Sequence, residues 1–430
     1  MKCIKTRKIQ LLPLGDFNET YKYVNNLSSG LASLGNEMIR RHVLSFYEMD
    51  VLKDSTPDAK TRTNLMKEKY GMSLQNMGYD VSKKYSATIP SNIRTTFNQK
   101  VFKKIKDSYF GISINKESIP SFRKDSMAIP FSYDNNISLN EFGVYDFKFF
   151  NNVNFKLNFG RDRSNNKVII DRILSNEYKP LSSHIKIDKK KIFLDLTYSF
   201  DSDENVNISK DKIVGVDLGI NRPMTIARED GTYAKQIEIG GKIQYSRLSI
   251  QKQRRSLQSA LRHSSGGHGT GKKIAKLKSL KDYEHNFMKT TNDTLSRELI
   301  KYCVNEGVGV IKLENLTGIT ENANNFLKSW SYYQLQQMIE YKAAEFGITV
   351  LYVNPRYTSQ TCPTCGNIDK TQRDSKDKTK FACSNEICSD ININKDADII
   401  GAFNISKRDG VIASKKILQE KSDKKLLVSE

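Results

Sequence analysis

Two short aliphatic runs in this chain, IVGVD at 213–217 and GVIKLE at 309–314, end in a carboxylate. Such a run beside turn residues reads as an internal β-strand, a setting from which acidic residues are depleted. A charge there needs partners, because burying it alone is costly. Taken singly, Asp217 reads as a turn cap, an ion-pair member or a metal ligand, and Glu314 as a strand-end surface charge. The order of elements around them narrows the choice. KIVGVDLG, PMTIARED and GTYAKQIEI are three closely spaced strands. A long helical stretch over about 244–306 follows, interrupted by HSSGGHGTG. Then come a strand (GVGVIKLENL), a helix (SYYQLQQMIEYKAAEFG), a strand (ITVLYVNP), a cysteine-bearing insertion and a last helix (ADIIGAFNISKR).

A three-strand meander followed by strands alternating with helices resembles a ribonuclease-H-like sheet. In that arrangement the first strand, the fourth strand and the last helix converge at one end. Asp217, Glu314 and Asp398 then meet, with Asp396 one step outside the helix. Asp398 alone also reads as a first-turn acid favoured by the helix dipole. Three carboxylates in one place raise each other's pKa unless a cation sits among them. Hard oxygen ligands suit Mg²⁺, and two such ions about 4 Å apart support in-line phosphodiester hydrolysis. His42, His184, His263, His268 and His285 form no ligand or triad pattern.

Six cysteines are present, four of them within 27 residues. Cys3 and Cys303 stand alone and read as small buried hydrophobes. Cys362 and Cys365 (TCPTCG), then Cys383 and Cys388 (FACSNEICSD), form two close pairs 17 residues apart, the pattern of a four-thiolate zinc ribbon. With no ligand position left open, the site reads as structural, in an insertion that also touches nucleic acid.

Sixty-nine Lys and Arg against 48 Asp and Glu give a net charge of +21. That excess attracts polyanions, nucleic acid above all. Residues 247–281 hold ten Lys or Arg and no acid, a helical surface expected to lie against phosphates. No apolar run approaches the roughly 18 residues of a membrane span, and MKCIKTRKIQLLPLG lacks a signal-peptide core, so the expected location is the cytoplasm. GGHGTGKK, 266–273, almost spells a P-loop, but Lys273 stands where Ser or Thr is required and a helix precedes it.

The N-terminal half changes period twice. KCIKTRKIQLL reads as a first strand. From Tyr21 to about Phe110 apolar residues recur at helical spacing, with a polar break at KDSTPDAKTRT and a helix opening at Pro90 and Ser91. From about 111 to 205 the period is two, as in VNFKLNF and KKIFLDLTYSF, and KVIIDRI reads as a further strand.

VGVDLG, IKLENL, YTSQTCPTCG and the D-x-x-x-A-x-N-I pattern from Asp398 to Ile405 together resemble the TnpB and miniature type V CRISPR effector superfamily, RNA-guided nucleases with a split RuvC site. PSNIRTTFNQKVFKKIKDS and IPSFRKDSMAIPF are similar to its compact type V-F subgroup. The resemblance implies an α+β multidomain chain. A β-barrel wedge domain (1–20 and 111–205) holds an inserted helical recognition domain (21–110). A RuvC nuclease domain (206–354 and 396–430) carries a zinc-ribbon target-nucleic-acid-binding insertion (355–395). Asp217, Glu314 and Asp398 match the three RuvC acids, and Cys362, Cys365, Cys383 and Cys388 the zinc ligands. The family's last motif is closer to D-x-N-A-A-x-N-I. Ile400 and Gly401 depart from it and leave Asp396 as an alternative, whereas Ala402, Asn404 and Ile405 favour Asp398. Also implied are two Mg²⁺ ions, one Zn²⁺, a guide RNA, a double-stranded DNA target with a short flanking motif, and two protein copies on one guide RNA. A transposon-encoded TnpB-type nuclease, an RNA-independent resolvase-like nuclease and a non-cutting zinc-ribbon binder are the competing readings.

Overall fold

The computed structural model describes residues 2–124, 127–162, 164–202, 207–263, 269–316, 332–374, 377–389, 393 and 395–411. The segment 264–268, with His268, and the tail 412–430 lie outside the described residues. The chain forms two compact units, Lys2–Phe200 and a second from Asp201 onward. Among the described residues no helix is long and apolar enough to cross a membrane.

The first unit opens with strand β1 (Lys2–Pro13), whose Cys3, Ile9 and Leu11 turn inward. Helices α1 (Phe17–Val51), α2 (Ala59–Tyr70), α3 (Met77–Lys83) and α4 (Ser91–Ser113) follow. Asp16 caps α1 by accepting the Glu19 N–H at 2.8 Å, and Asp58 caps α2 through the Thr61 N–H at 2.6 Å. The last residues of the polar break, 59–63, therefore fold as the start of α2. Leu27, Leu31, Leu34 and Met38 of α1 share one core with Ile93, Phe97, Val101 and Ile105 of α4.

Strands β2 (Ile129–Phe131), β3 (Ile137–Leu139), β4 (Tyr145–Lys148), β5 (Asn154–Asn158), β6 (Lys179–Pro180), β7 (Ser183–Asp188) and β8 (Lys191–Asp201) complete a sheet of order β2-β7-β8-β1-β5-β4-β3, with β6 on β8. Period two is clearest in β8, which buries Ile192, Leu194, Leu196 and Tyr198. Phe131 of β2 lies 5.8 Å, ring centre to ring centre, from Phe147 of β4. Four strands separate these two in the hydrogen-bonding order, so the sheet curls and brings its ends to a shared core.

KVIIDRI corrects an expectation. It is not a strand but helix α5 (Asn166–Leu174). Its buried residues Ile169, Ile170 and Ile173 fall one and four apart, the spacing of one helix face. The Asp162 carboxylate accepts the N–H groups of Asn166 at 2.7 Å and Lys167 at 3.0 Å, which satisfies two first-turn donors. Capping and packing outweigh the strand preference of β-branched side chains.

The second unit is built on β9 (Ser209–Asp217), β10 (Met224–Arg228) and β11 (Ala234–Ile237), then β12 (Val308–Glu314) and β13 (Thr349–Val353). Their order is β11-β10-β9-β12-β13. The first three form an antiparallel meander, while β12 runs parallel to both β9 and β13. Helices α6 (Gly240–Arg262), α7 (Thr270–Glu306), α8 (Tyr332–Glu345) and α9 (Ala397–Lys407) surround this sheet. Val308 to Leu313 are all buried, as a strand covered on both faces requires. Leu295 and Leu299 of α7 and Leu335 and Ile339 of α8 fill the core with it, and Cys303 is an inert member. Short strands β14 (Lys380–Phe381) and β15 (Lys395–Asp396) pair beside the cysteines.

Candidate active site

The register of two parallel strands places the first two acids. Lys312 pairs with Gly215 and Leu313 with Val216, so the next step sets Glu314 beside Asp217, on strands about 4.8 Å apart. Side chains alternate along a strand, which puts Gly215, Asp217, Lys312 and Glu314 on one face. Helix α9 covers that face. A Cβ at Gly215 would stand 2.0 Å from the Ala402 carbonyl oxygen, so glycine is what lets the helix sit directly on the strand. Lys312, itself buried, donates from Nζ to the Ser406 carbonyl at 2.7 Å, tying the last turn of α9 to β12.

The first turn of α9 brings Asp398 to the same end. Asp217 lies against the helix, its Oδ2 only 3.1 Å from where a Cβ on Gly401 would be. The carboxyl of Asp217 is pushed up to about 8, by burial first and then by the negative charges of Glu314 and Asp398, while Arg373 pulls the other way. Glu314 is raised as well, by burial, against a hydrogen bond from Thr358 and the charge of Arg408. Thr358 Oγ1 donates to Glu314 Oε1 at 2.6 Å, and Gln336 Nε2 donates to the Glu314 backbone oxygen at 2.8 Å. The three acids predicted from sequence are thus brought together, close enough to repel. Buried, mutually repelling oxygen donors suit a hard divalent cation.

Asp396 has a different part. It caps α9, its Oδ1 accepting the N–H groups of Asp398 at 3.0 Å and Ile399 at 3.2 Å and the Gln236 side-chain amide at 2.7 Å. Its Oδ2 takes Arg222 Nη1 at 2.6 Å. Arg222 Nη1 also reaches Asp398 Oδ2 at 3.1 Å, and Arg373 Nη2 stands 3.7 Å from Asp398 Oδ1. Arg222, Thr358 and Arg373 went unnoticed in the sequence. Thr358 lies inside YTSQTCPTCG, but nothing in its spacing marks a partner for Glu314, and Arg373 reaches the acids only through the fold.

The four clustered cysteines place their sulfurs within 4.8 Å of one another. Cys362 and Cys388 are 3.8 Å apart, Cys365 and Cys383 3.6 Å. Four sulfurs about 2.3 Å from a tetrahedral zinc stand about 3.8 Å from each other, so the set fits zinc as it is. Gly366, at φ +73°, makes the turn that a side chain would strain, and its N–H donates to the Cys362 carbonyl at 2.9 Å. The Asn385 N–H points at Cys383 Sγ, 3.4 Å away. A hydrogen bond from the Asn367 backbone, helped by neighbouring side chains, holds the Cys365 thiol down to about 6, which favours the thiolate a metal binds. The sulfurs of Cys362, Cys383 and Cys388 share a small core with Phe381 and with Ala397 and Ile400 of α9.

In the basic run 247–281, residues 247–262 lie in α6 and 270–281 in the start of α7, and these are less free than their composition suggests. Arg247 and Arg254 turn to Glu284, at 3.6 and 3.0 Å, and Arg247 is buried. Those two are not available to phosphates.

Residues 332–405 match the family model described as Cas12f1-like, TNB domain, and residues 196–320 the OrfB_IS605 model, described as a probable transposase. A protein of Sulfoacidibacillus thermotolerans named CRISPR-associated endodeoxyribonuclease Cas12f1 is 36% identical over 294 residues, which cover 64% of this chain and 68% of that protein. This chain belongs to the Cas12f1 family. A relative of the same name in Syntrophomonas palmitatica is 36% identical over 225 residues, half of this chain and 45% of the relative. A TnpB-like protein of Methanocaldococcus jannaschii is 34% identical over 144 residues, 32% of this chain and 45% of that protein. Among solved structures, a Cas12f1–sgRNA–target DNA complex contains a chain of the same fold, with a TM-score of 0.69 at 16% identity over 95% of this chain and all of that one.

Proposed function

We propose that this chain is an RNA-guided DNA endonuclease of the miniature type V-F kind, cutting at one RuvC-type site made by Asp217, Glu314 and Asp398. The convergence of these three acids at one end of a β11-β10-β9-β12-β13 sheet carries the reading. The names of the Cas12f1 relatives and the sgRNA and DNA in the related complex support the activity and the partners. Asp217, Glu314 and Asp398 would hold two Mg²⁺ ions. When bound, they supply Lewis acidity and a water of lowered pKa. The chain's own groups do the rest. Burial of Asp217 and Glu314 keeps bulk water from competing for their oxygens. Arg222 and the Asp396 cap fix the first turn of α9, and Arg373 offers a cation beside the carboxylates, where a phosphate oxygen would lie.

The remaining organisation follows from the same reading. The curled sheet of the first unit, with the contact between Phe131 and Phe147, supports a wedge barrel (1–20, 111–205) with 21–110 as the inserted recognition helices. The second unit is the RuvC domain (206–354, 396–430) with its zinc-holding insertion (355–395). Two copies on one guide RNA, acting in the cytoplasm, complete the proposal. Base pairing reads the target sequence, and the protein reads duplex shape and the flanking motif.

The test is to express the chain with its native flanking DNA, sequence the RNA that co-purifies, and assay a matched target with wild type and Asp217→Ala. A repeat-derived guide, RNA-dependent cutting by wild type and binding without cutting by the variant are expected. An RNA from a transposon end would move the chain to the TnpB-type system with the chemistry intact. Cutting by RNA-free protein would overturn the RNA-guided reading in favour of a resolvase-like one.

A further inference from the structure

The ribbon and the acids are built as one object at three points. First, the Thr358 hydroxyl, four residues before the first zinc-binding cysteine, lies 2.6 Å from Glu314 Oε1 and 3.2 Å from the Pro355 carbonyl. A hydroxyl has one proton, and the shorter, charge-assisted contact takes it. Second, the Asn404 side-chain amide on α9 donates to the backbone oxygens of Thr358 at 2.7 Å and Thr361 at 2.8 Å. Thr358 and Asn404 are both buried, so water cannot replace either bond cheaply. Third, Ala397 and Ile400, which flank Asp398, pack in the same small core as three of the four zinc-binding cysteines. Ile400 stands where the family motif has a polar residue and is itself buried in this core.

We infer that Thr358 is a positioning residue for Glu314, and that Asn404 locks it, so that the folded ribbon sets the geometry of the acid site. The inference rests on the nuclease reading above. One oxygen of Glu314 is fixed by the Thr358 hydroxyl, which limits how the carboxylate can turn beside Asp217. The amide of Asn404 couples that orientation to the helix bearing Asp398. A carboxylate left to rotate holds a divalent ion less tightly, and outer partners of this type carry about 10- to 100-fold in affinity or rate.

The experiment uses full-length protein with its guide RNA and compares wild type, Thr358→Val, Thr358→Ser and Asp217→Ala. It measures Mn²⁺ binding by electron paramagnetic resonance, zinc per chain by metal analysis, target binding, and single-turnover cleavage across Mg²⁺ concentrations. Expected for Thr358→Val are Mn²⁺ binding weakened about 10-fold, cleavage slowed about 10- to 100-fold, and unchanged zinc and target binding. Thr358→Ser restores both losses because it keeps the hydroxyl. Wild-type Mn²⁺ affinity and cleavage in Thr358→Val would overturn the inference. So would loss of zinc in that variant with no rescue by serine, since Thr358 would then serve only the ribbon's stability. Absence of any Asp217-dependent Mn²⁺ site in wild type would instead bring down the nuclease reading, and this inference with it.

Discussion

Asp396 and Asp398 are two residues apart, and substitution can separate the helix cap made by Asp396 from the metal-holding role proposed for Asp398. Asp396→Ala removes the side-chain cap of α9, which costs about 1 kcal/mol. It also breaks the contact with Arg222, whose side chain is 20% exposed against 25% for Asp396. Solvent screening limits that part to below about 1 kcal/mol, and Arg222 keeps Asp398 as a partner. The sum is about 2 kcal/mol. For a unit of this size each kcal/mol moves Tm by about 2–4 °C, so the nuclease unit should melt about 4–8 °C lower by calorimetry. Cleavage at 25 °C, well below that transition, should stay within about 10-fold of wild type. Asp398→Ala should do the reverse. It removes a charge that repels Asp217 and leaves the cap in place, against the loss of partly exposed contacts with Arg222 and Arg373. Tm should therefore stay close to wild type while cleavage falls about 10²- to 10³-fold, the scale of losing one preorganised charge-stabilising group. An active Asp398→Ala beside an inactive, normally stable Asp396→Ala would refute the assignment of both residues.

Three further outcomes follow from other parts of the site. Cys383→Ser should take zinc from one per chain to a small fraction and loosen the ribbon, because zinc-binding energy is largely folding energy; full zinc content by metal analysis would remove that ligand. In metal-free protein the Asp217 carboxyl, near 8 when folded and about 3.9 when unfolded, keeps its proton in the native state, so stability should fall as pH rises from about 4 to about 8. Asp217→Asn should flatten that slope in thermal melts, and an unchanged slope would show that another group titrates. Gly401→Ala adds a methyl 3.1 Å from Asp217 Oδ2. It should gain up to about 1 kcal/mol of helix stability yet slow cleavage several-fold, and full-speed cleavage would show that the carboxylate has room to move.

The parts of this fold visible in the sequence are those where a local pattern has one physical meaning. VGVIKL reads as a central strand because a strand covered on both faces has no polar side, and the structure buries every residue of it. The cysteine spacing is equally direct, since two short knuckles are what bring four sulfurs to the corners of one tetrahedron. KVIIDRI misled because its β-branched residues fit a strand by propensity while their spacing and the Asp162 cap fit a helix. A longer view of caps would have found it. The motif favours Asp398 over Asp396 through Ala402, Asn404 and Ile405, but the capping role of Asp396 was beyond motif reading. It depends on which carboxylate the helix end uses for its own orphan N–H groups, a matter of φ and ψ.

What the sequence hides most completely is the set of cations and hydroxyls that make three repelling acids tolerable. Arg222 comes from the loop after β9, Arg373 and Thr358 from the ribbon, and Arg408 from the end of α9. No spacing links them, because each arrives through a different loop. Yet they explain why the acids sit where the ribbon joins the sheet. A sheet end alone offers two strands and one helix, enough to carry three carboxylates, and its own donors are the Leu218 N–H to Asp217 and Arg222 to Asp398. An insertion placed between β13 and α9 passes over that end twice. Its first pass brings a hydroxyl to Glu314, and its far loop brings a guanidinium to Asp398. Under the proposed function, the ribbon's position in the chain is a requirement of the acid cluster, through Thr358 and Arg373. Moving an intact ribbon to another loop of this unit should leave zinc bound and the site unable to hold its metal.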